Sequence, residues 1–188
     1  MEKSAQFVGK LTHLAVQGIL KKKMIKSFFN KTFKNFLFIL FIFIVDRLSK
    51  IYVISLDQSN LESDLLFFSS FLNIQLIWNS GIAFGLFSFE ENFYYNLITL
   101  IIIFVIILVV YLAKNATTLD RYLYSMIIGG ACGNLFDRLI YRSVPDFIDL
   151  HYNNFHWFIF NVADIFISIG IISLIFSDML KNKKKYDK

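Results

Sequence analysis

Ionisable and amide side chains stand inside or directly beside long apolar stretches of the chain. They are Asp46, Lys50, Asn134, Asp137, Arg138, Asp146, Asn161 and Asp164. A charged side chain within a membrane helix costs about 2.5–3.5 kcal/mol on insertion scales, so it is retained where something uses it. The set therefore predicts a catalytic site, an ion path or a group of structural ion pairs.

Structural ion pairs would explain part of this set. Asp46 and Lys50 are four residues apart, so they share one face of a helix and can pair. Asp137 can pair with Lys50 or with its neighbour Arg138. Such pairs would hold a helical bundle together without doing any chemistry.

Asp146 and Asp164 fit that explanation less well. Two aspartates that meet in a poorly hydrated site cannot both ionise freely, so the pair shares a proton. Aspartic proteases use such a pair: one carboxylate activates water, and the other protonates or polarises the peptide carbonyl. The residues alone leave open a membrane aspartyl hydrolase, a small proton-coupled transporter, and a structural membrane protein whose charges only pair.

Other catalytic patterns are missing from the sequence. There is no His-Glu-x-x-His motif, and His151 and His156 are expected to be surface residues of a loop and not metal ligands. Ser49 adjoins Lys50 and therefore points to a different side of the helix, which argues against a Ser–Lys dyad. The single cysteine, Cys132, is expected at a helix contact.

Composition indicates that lipid surrounds the segments that carry these residues. Hydrophobic residues make up 56% of the 188 residues, and the mean hydropathy is +0.58. Four segments have about the 20 residues needed to cross ~30 Å of hydrocarbon, and they run from about 36 to 56, 93 to 113, 122 to 141 and 157 to 180. Backbone groups in lipid must bond internally, so these segments are predicted to be helices. Gly129 and Gly133 in the third are spaced for a close helix contact.

The distribution of charge predicts how the helices are oriented. Residues 57–92 contain no Lys or Arg, whereas Lys114 and Arg121 flank the loop after the second helix and both termini are lysine-rich. Positive charge favours the cytoplasmic side, so both termini are predicted there. The polar residues then lie at one depth, in the outward leaflet. We predict an all-α membrane protein with four transmembrane helices and, from the alternation in residues 73–78, a small β-rich extracytoplasmic lobe at about residues 57–92.

Basic residues are concentrated at the two ends of the chain, which has a net charge of +5. Such clusters beside apolar segments are typical of cytoplasmic anchors, and without a readout module they do not predict binding to nucleic acid. We therefore expect a basic cytoplasmic extension (1–35), a membrane domain (36–180) and a basic tail (181–188). Residues 1–23 are expected to be dispensable, or to follow from a misassigned start before Met24, since they lack the features of a signal peptide.

Five blocks of sequence resemble those of the lipoprotein signal peptidase (signal peptidase II) family. They are Asp46-Arg47-Leu48-Ser49-Lys50, Asn79-Ser80-Gly81-Ile82-Ala83-Phe84-Gly85, Gly129-Gly130-Ala131-Cys132-Gly133-Asn134-Leu135-Phe136-Asp137-Arg138, Val144-Pro145-Asp146-Phe147 and Phe160-Asn161-Val162-Ala163-Asp164. One block would be a weak signal. Five in the family's order, covering the chain from about residue 36 to 180, are specific.

The resemblance implies an intramembrane aspartyl protease whose catalytic aspartates fall on Asp146 and Asp164. Its supporting or substrate-binding positions fall on Asp46, Lys50, Asn79, Gly130, Asn134, Asp137, Arg138, Asn161 and Ala163. The implied substrate is a prolipoprotein whose lipobox cysteine already bears a diacylglyceryl group, and the cut falls just before that cysteine.

The resemblance also implies a location and a set of partners. The enzyme would span the bacterial cytoplasmic (inner) membrane with both termini in the cytoplasm, an extracytoplasmic β-rich cradle and an active site at the outward leaflet. It would need no metal or cofactor, contact membrane lipid and be inhibited by globomycin. We expect it to act as a monomer. Lys50 and Arg138 are expected to hold carboxylates and asparagines, and Asn161 is expected to orient a catalytic carboxylate or to bind substrate backbone.

Overall fold

The architecture is mostly helical, with one small antiparallel sheet. A computed structural model describes residues 2–59, 65–81, 92–153 and 155–186. The helices are α1 (Glu2–Ser59), α2 (Asn92–Lys114), α3 (Thr118–Tyr141) and α4 (Val162–Tyr186), and the strands are β1 (Leu65–Phe68), β2 (Leu72–Asn79), β3 (Val144–Tyr152) and β4 (Phe155–Phe160). The chain divides into two compact units, Met1–Leu37 and Phe38–Lys188, and every predicted site residue lies in the second.

The helix α1 begins far before the predicted first helix. Hydropathy predicted a helix over about residues 36–56, whereas α1 runs from Glu2 to Ser59. The added residues contain no proline and eight Lys residues, a composition that permits helix without being apolar enough to span lipid. Hydropathy therefore located the apolar part of this helix and not its beginning.

Small residues bring α1 and α4 close to α3. A Cβ added at Gly129 would lie 2.9 Å from Cβ of Ile42 on α1, and one added at Gly130 would lie 2.5 Å from the carbonyl oxygen of Ala163 on α4. A Cβ at Gly133 would meet the carboxylate of Asp46. The close helix contact predicted at Gly129 and Gly133 is confirmed, and α2 packs against α3 as well.

The four strands form one antiparallel sheet in the order β1-β2-β3-β4. In β2 and β3, Ile77 lies opposite Asp146 and Asn79 lies opposite Val144. Half of the sheet therefore comes from the chain between α3 and α4, outside the segment 57–92 in which β structure was predicted. Residues 60–64 and 82–91 of the predicted lobe lie outside the described residues.

The fourth helix begins later than predicted. Hydropathy placed its start at about Trp157, but residues 155–160 form β4 and α4 begins at Val162. The segment is apolar and aromatic, which suits a strand as well as a helix. Its pairing with β3, in which Phe160 lies opposite Ile148, decides for the strand.

Two of the described helices are long and apolar enough to cross a membrane. The spans are Tyr95–Lys114 in α2, with a mean hydropathy of 3.0, and Val162–Lys183 in α4, with a mean hydropathy of 1.9. Few residues of either span are buried inside the protein, so their apolar side chains face outward. Outward-facing apolar surface of this kind is what a lipid environment accommodates.

Candidate active site

Four charged side chains from α1 and α3 form a buried charge cluster consisting of Asp46, Arg47, Lys50 and Asp137. Lys50 Nζ donates to Asp46 Oδ2 at 3.0 Å and to Asp137 Oδ2 at 2.7 Å. Arg47 Nη2 donates to Asp46 Oδ2 at 2.8 Å, and both Nη atoms of Arg47 bond Asp137. Asp46, Lys50 and Asp137 are 0% exposed, and the two cations balance the two carboxylates.

The third N–H of Lys50 connects this charge cluster to α4. Lys50 Nζ donates to Asn134 Oδ1 at 2.8 Å, and Asn134 Nδ2 donates to Asp164 Oδ1 at 2.8 Å. Since an ammonium group only donates, Lys50 fixes which end of the Asn134 amide faces Asp164. The predicted pairing of Asp46 with Lys50 is confirmed, and Asp137 pairs with Lys50 and Arg47.

Asp164 stands in the first turn of α4, where it and Asn161 cap the helix. The backbone N–H of Asp164 donates to Asn161 Oδ1, and the backbone N–H of Asn161 donates to Asp164 Oδ2, both at 3.2 Å. This reciprocal arrangement is a capping box. The N–H of Ala163, between them, donates to Asp46 Oδ1 at 3.0 Å, so the charge cluster also holds the beginning of α4.

Asp146, on β3, also contacts Asn161 at the beginning of α4. Asn79 Nδ2 donates to Asp146 Oδ2 at 2.8 Å, and Asn161 Nδ2 donates to Asp146 Oδ1 at 2.6 Å. Asp146 is 3% exposed and Asn161 is 0% exposed. Asn161 therefore touches both aspartates, one through its side-chain amide and the other through its backbone N–H.

The environment of Asp146 favours its protonated form. Burial, chiefly, raises the pKa of Asp146 from 3.8 to about 6, and the charge of Asp164 adds to this effect. The amide bonds and the charge of Lys50 oppose it without cancelling it. A carboxyl of this kind can exchange a proton near neutral pH.

Arg138 holds the chain that follows β2. Its Nη2 donates to the carbonyl oxygen of Gly81, and the hydroxyl of Tyr95 on α2 donates to the carbonyl oxygen of Arg138 at 2.6 Å. Gly81 N–H in turn donates to Asn79 Oδ1 at 2.9 Å, which turns the Asn79 amide toward Asp146. Arg138 was expected to hold a carboxylate or an asparagine, whereas among the described residues its side chain donates a hydrogen bond to a backbone carbonyl.

Both aspartates line one cavity of about 400 Å³ between α2, α3 and α4. Its polar wall consists of Asn79, Asn134, Arg138, Asp146, Asn161, Asp164 and Ser168, and its apolar wall includes Ile101, Ile102, Val105, Ile106, Ile127, Ile167 and Ile171. A second groove of about 470 Å³, on the side of α4 that faces the sheet, is also lined by Asp164. A third groove of about 550 Å³ lies near Lys181. Neither Asp146 nor Asp164 lines it, so it is not the candidate active site although its volume is greater.

The sheet carries a separate polar cluster around Asp149, which is 0% exposed. His156 Nδ1 lies 2.9 Å from Asp149 Oδ2, and Asn73 Nδ2 donates to the same oxygen at 3.2 Å. Asp149 does not line the cavity that contains Asp146. Sequence reasoning missed this cluster because it placed both histidines in a loop, whereas they lie on paired strands.

The sequence model of the family described as signal peptidase (SPase) II matches residues 38–180 of the chain, a range that contains every residue of the site. The chain belongs to the signal peptidase II family. The membership confirms the resemblance carried by the five blocks, and because this is a protease family it favours the enzyme over the transporter alternative.

Relatives of this signal peptidase cover most of its length. A lipoprotein signal peptidase of Pelagibacter ubique is 47% identical over 151 residues, which span 80% of this chain and 90% of the relative. Another from Thermodesulfovibrio yellowstonii is 37% identical and is covered over 98% of its length. A bacterial membrane enzyme solved by the in meso method at 2.3 Å resolution is similar with a TM-score of 0.66 and 31% identity, covering 82% of this chain and 93% of that one. The enzyme is therefore a membrane protein of the same fold.

The structure of this signal peptidase brings the predicted residues together in two connected groups. Around the cavity lie Asn79, Asn134, Arg138, Asp146, Asn161 and Asp164, and behind it lie Asp46, Lys50 and Asp137. Gly130 and Ala163 contribute backbone contacts. Arg47 was not selected, although its position next to Asp46 within the first block was the available signal.

Proposed function

We propose that this chain is an aspartyl endopeptidase in which Asp146 and Asp164 are the catalytic pair. It removes signal peptides from prolipoproteins that carry a diacylglyceryl group on the lipobox cysteine, and it cuts just before that cysteine. The family membership supports the removal of prolipoprotein signal peptides. The assignment of the pair depends on the geometry of the cavity.

The observation that carries this assignment is the set of hydrogen bonds on the two carboxylates. Each of their four oxygens accepts an N–H: Asp146 from Asn79 and Asn161, and Asp164 from Asn134 and Asn161. A carboxylate oxygen can accept a further hydrogen bond, so water and a peptide carbonyl can approach from the cavity. Amide donors orient both acids without adding a competing positive charge.

These contacts support general acid–base hydrolysis of the peptide bond. The ionised member of the pair takes a proton from a water molecule as that water attacks the scissile carbonyl carbon, and the protonated member donates to the carbonyl oxygen. The resulting intermediate collapses when the protonated member of the pair donates to the leaving nitrogen of the cysteine, a hydroxyl of the intermediate returns its proton to the ionised member, and the C–N bond breaks. The pair ends with one shared proton, as it began.

The apolar part of the cavity suits a lipid-modified substrate. Ile101, Ile102, Val105 and Ile106 of α2 provide the wall opposite the aspartates. The groove between α4 and the sheet adds further apolar surface beside Asp164, from residues such as Trp157, Phe160 and Ile169. These two surfaces can accept a signal helix and acyl chains on either side of the reacting bond.

The proposed membrane placement has four transmembrane helices, with both termini in the cytoplasm and the sheet on the outer side of the bacterial cytoplasmic membrane. The apolar spans of α2 and α4 support it, and so do the basic residues at both ends of the chain. With this orientation the aspartates lie near the outer headgroups, at the level of a diacylglyceryl anchor. The remaining proposals are that the enzyme works as a monomer in contact with lipid and that globomycin inhibits it.

The proposal is tested by a cleavage assay with the purified full chain in detergent. Two lipobox peptides are compared, one with a diacylglyceryl cysteine and one with a free cysteine, each with and without globomycin. We expect cleavage of the first alone, before the cysteine, and its loss with globomycin. Asp146→Asn and Asp164→Asn should each reduce kcat by at least about 10³-fold.

Asp149→Asn is the matched control. Asp149 lies on the same strand as Asp146 and is equally buried, but its partners are in the sheet cluster. We expect it to lower the melting temperature while kcat stays within about threefold of the unmodified enzyme. Full activity in a folded Asp146→Asn or Asp164→Asn enzyme would rule out the catalytic pair.

A further inference from the structure

Arg47 lies in the first of the five sequence blocks, but it is not among the positions that the resemblance assigned to the site, and it does not line the cavity. Its side chain is 11% exposed and contributes one of the two positive charges in the charge cluster. Its guanidinium carbon lies 5.1 Å from the ring centre of Phe136 and 6.0 Å from that of Phe43. These aromatic faces hold the guanidinium in one orientation against the carboxylates.

Lys50 alone cannot satisfy the two buried carboxylates. Its three N–H groups are already divided between Asp46, Asp137 and Asn134. Asp137 Oδ1 has Arg47 as its hydrogen-bond partner among the described residues. Without Arg47, one uncompensated negative charge and one unpaired carboxylate oxygen would remain in a buried place, which is strongly unfavourable.

The cluster has two ways to relieve such an imbalance, and both reach the catalytic pair. Lys50 can move further between the carboxylates, which releases Asn134 and allows its amide to turn away from Asp164. Alternatively, a carboxyl can take up a proton. If that carboxyl is Asp46, the bond from the Ala163 N–H that holds the beginning of α4 is weakened.

We propose that Arg47 is a positioning residue for the reaction: it supplies the second positive charge that keeps Lys50 free to orient Asn134 and, through it, Asp164. The proposal rests on the function proposed above, because it takes Asp164 as catalytic. Arg47 touches neither the substrate cavity nor the aspartate pair, and it acts through Asp46, Asp137 and Lys50.

The test uses variants that separate charge from contact. Arg47→Gln removes the charge, and Arg47→Lys retains it. The double variant Arg47→Gln/Asp137→Asn restores the balance with one cation and one carboxylate. The full-length proteins are compared in detergent for kcat, KM and melting temperature with the diacylglyceryl lipobox peptide. Arg121→Gln is the control, since Arg121 is a partly buried arginine that bonds backbone carbonyls at the opposite end of α3.

We expect Arg47→Gln to lower kcat by roughly 10- to 100-fold with KM changed less than about threefold, as for residues that support a reacting group from behind. Arg47→Lys and the double variant should each recover much of the lost kcat. Arg121→Gln should change the melting temperature and leave kcat unaltered. A positioning role predicts this recovery by restored charge, which a purely structural role does not.

Three results would overturn the proposal. The first is an unchanged kcat in folded Arg47→Gln, and the second is a kcat in the double variant no higher than in Arg47→Gln. The third is a loss of activity in Arg47→Gln that is proportional to its loss of folded protein, as expected for Arg121→Gln. If Arg47→Gln does not fold, the double variant and Arg47→Lys are compared with the unmodified enzyme instead. Folded variants with substantial activity then support the proposal. It is contradicted if the folded variants have a low kcat or if neither variant folds. Activity in Asp164→Asn would instead contradict the proposed function, whatever Arg47 does.

Discussion

Asn161 and Asp164 cap one another at the first turn of α4, each accepting a backbone N–H from the other at 3.2 Å. The same exchange that begins the helix also fixes the carboxylate that faces the cavity. Helix formation and site geometry therefore depend on the same two side chains, and a substitution at either should affect both.

Removing the Asn161 side chain is predicted to reduce activity more than stability. Asn161→Ala eliminates the cap and the bond to Asp146, so we expect a loss of about 1–2 kcal/mol in stability together with a large decrease in kcat. Thr117→Ala is the control because Thr117 caps α3 in the same way, accepting from the Asp120 N–H. Cleavage assays and thermal melts of both variants check this, and equal kcat values would contradict it.

The buried Asp146 is predicted to make stability fall as the pH rises from about 4 to about 6. Its pKa is raised from 3.8 to about 6, so in this range the folded state binds more protons than the unfolded state, and each added pH unit favours unfolding. The full effect is about 3 kcal/mol and is complete above the folded pKa. Asp146→Asn should remove this slope from a series of melting temperatures measured against pH.

The matching experiment with Asp149→Asn should retain the slope, since Asp146 is unchanged in that variant. A slope that persists in Asp146→Asn would assign the proton uptake to another group. Cleavage by the unmodified enzyme should also decline at high pH, because the proposed reaction needs the proton that Asp146 and Asp164 share.

The contact between Gly130 and α4 is predicted to be essential for activity. A Cβ in Gly130→Ala would lie 2.5 Å from the Ala163 carbonyl oxygen, so the beginning of α4 must shift and carry Asp164 with it. Overpacking of this kind costs about 1–3 kcal/mol. Gly170→Ala is the control, since its Cβ would also crowd the α3–α4 contact, at 2.7 Å from Ile127 Cγ1.

Both glycine variants should melt at lower temperature, but only Gly130→Ala should lose kcat beyond its loss of folded protein. Equal kcat in the two folded variants would show that the position of α4 at Ala163 does not set the reactivity of Asp164.

Filling the apolar wall of the cavity is predicted to weaken substrate binding. Ile106 on α2 lines the cavity, so Ile106→Trp should raise KM for the diacylglyceryl peptide by about tenfold with a smaller effect on kcat. Leu108→Trp, on an exposed part of the same helix, should leave both constants near their original values. An unchanged KM in Ile106→Trp would exclude this wall from the binding site.

Periodicity and hydropathy predicted the helical framework because the apolar segments of α2, α3 and α4 are long. They failed at Trp157–Phe160, where an apolar run of four residues suits either a strand or a helix, and the pairing of this segment with β3 shows that it is a strand. The length of α1 was missed for a different reason. Its first part consists of residues that permit helix but are not apolar, so hydropathy does not detect it.

The polar residues of the site could be selected from the sequence because ionisable side chains are costly, and therefore rare, in segments that lie in lipid. Their partners were harder to predict. Arg138 bonds the Gly81 carbonyl, a contact that depends on how β2 ends, which no spacing along α3 reveals. Arg47 reaches Asp137 on α3 because its side chain is long, a contact that no spacing along α1 reveals.

One residue, Asn161, joins the last strand to the last helix: β4 ends at Phe160 and α4 begins at Val162. Such a junction contains no loop that could act as a hinge, and Asn161 is fully enclosed and bonded on both sides. The strand that supports Asp146 and the helix that bears Asp164 are therefore mechanically coupled and must be displaced together. If the proposed function is right, the entry of a lipidated substrate and the release of its products require movement of segments that carry neither Asp146 nor Asp164.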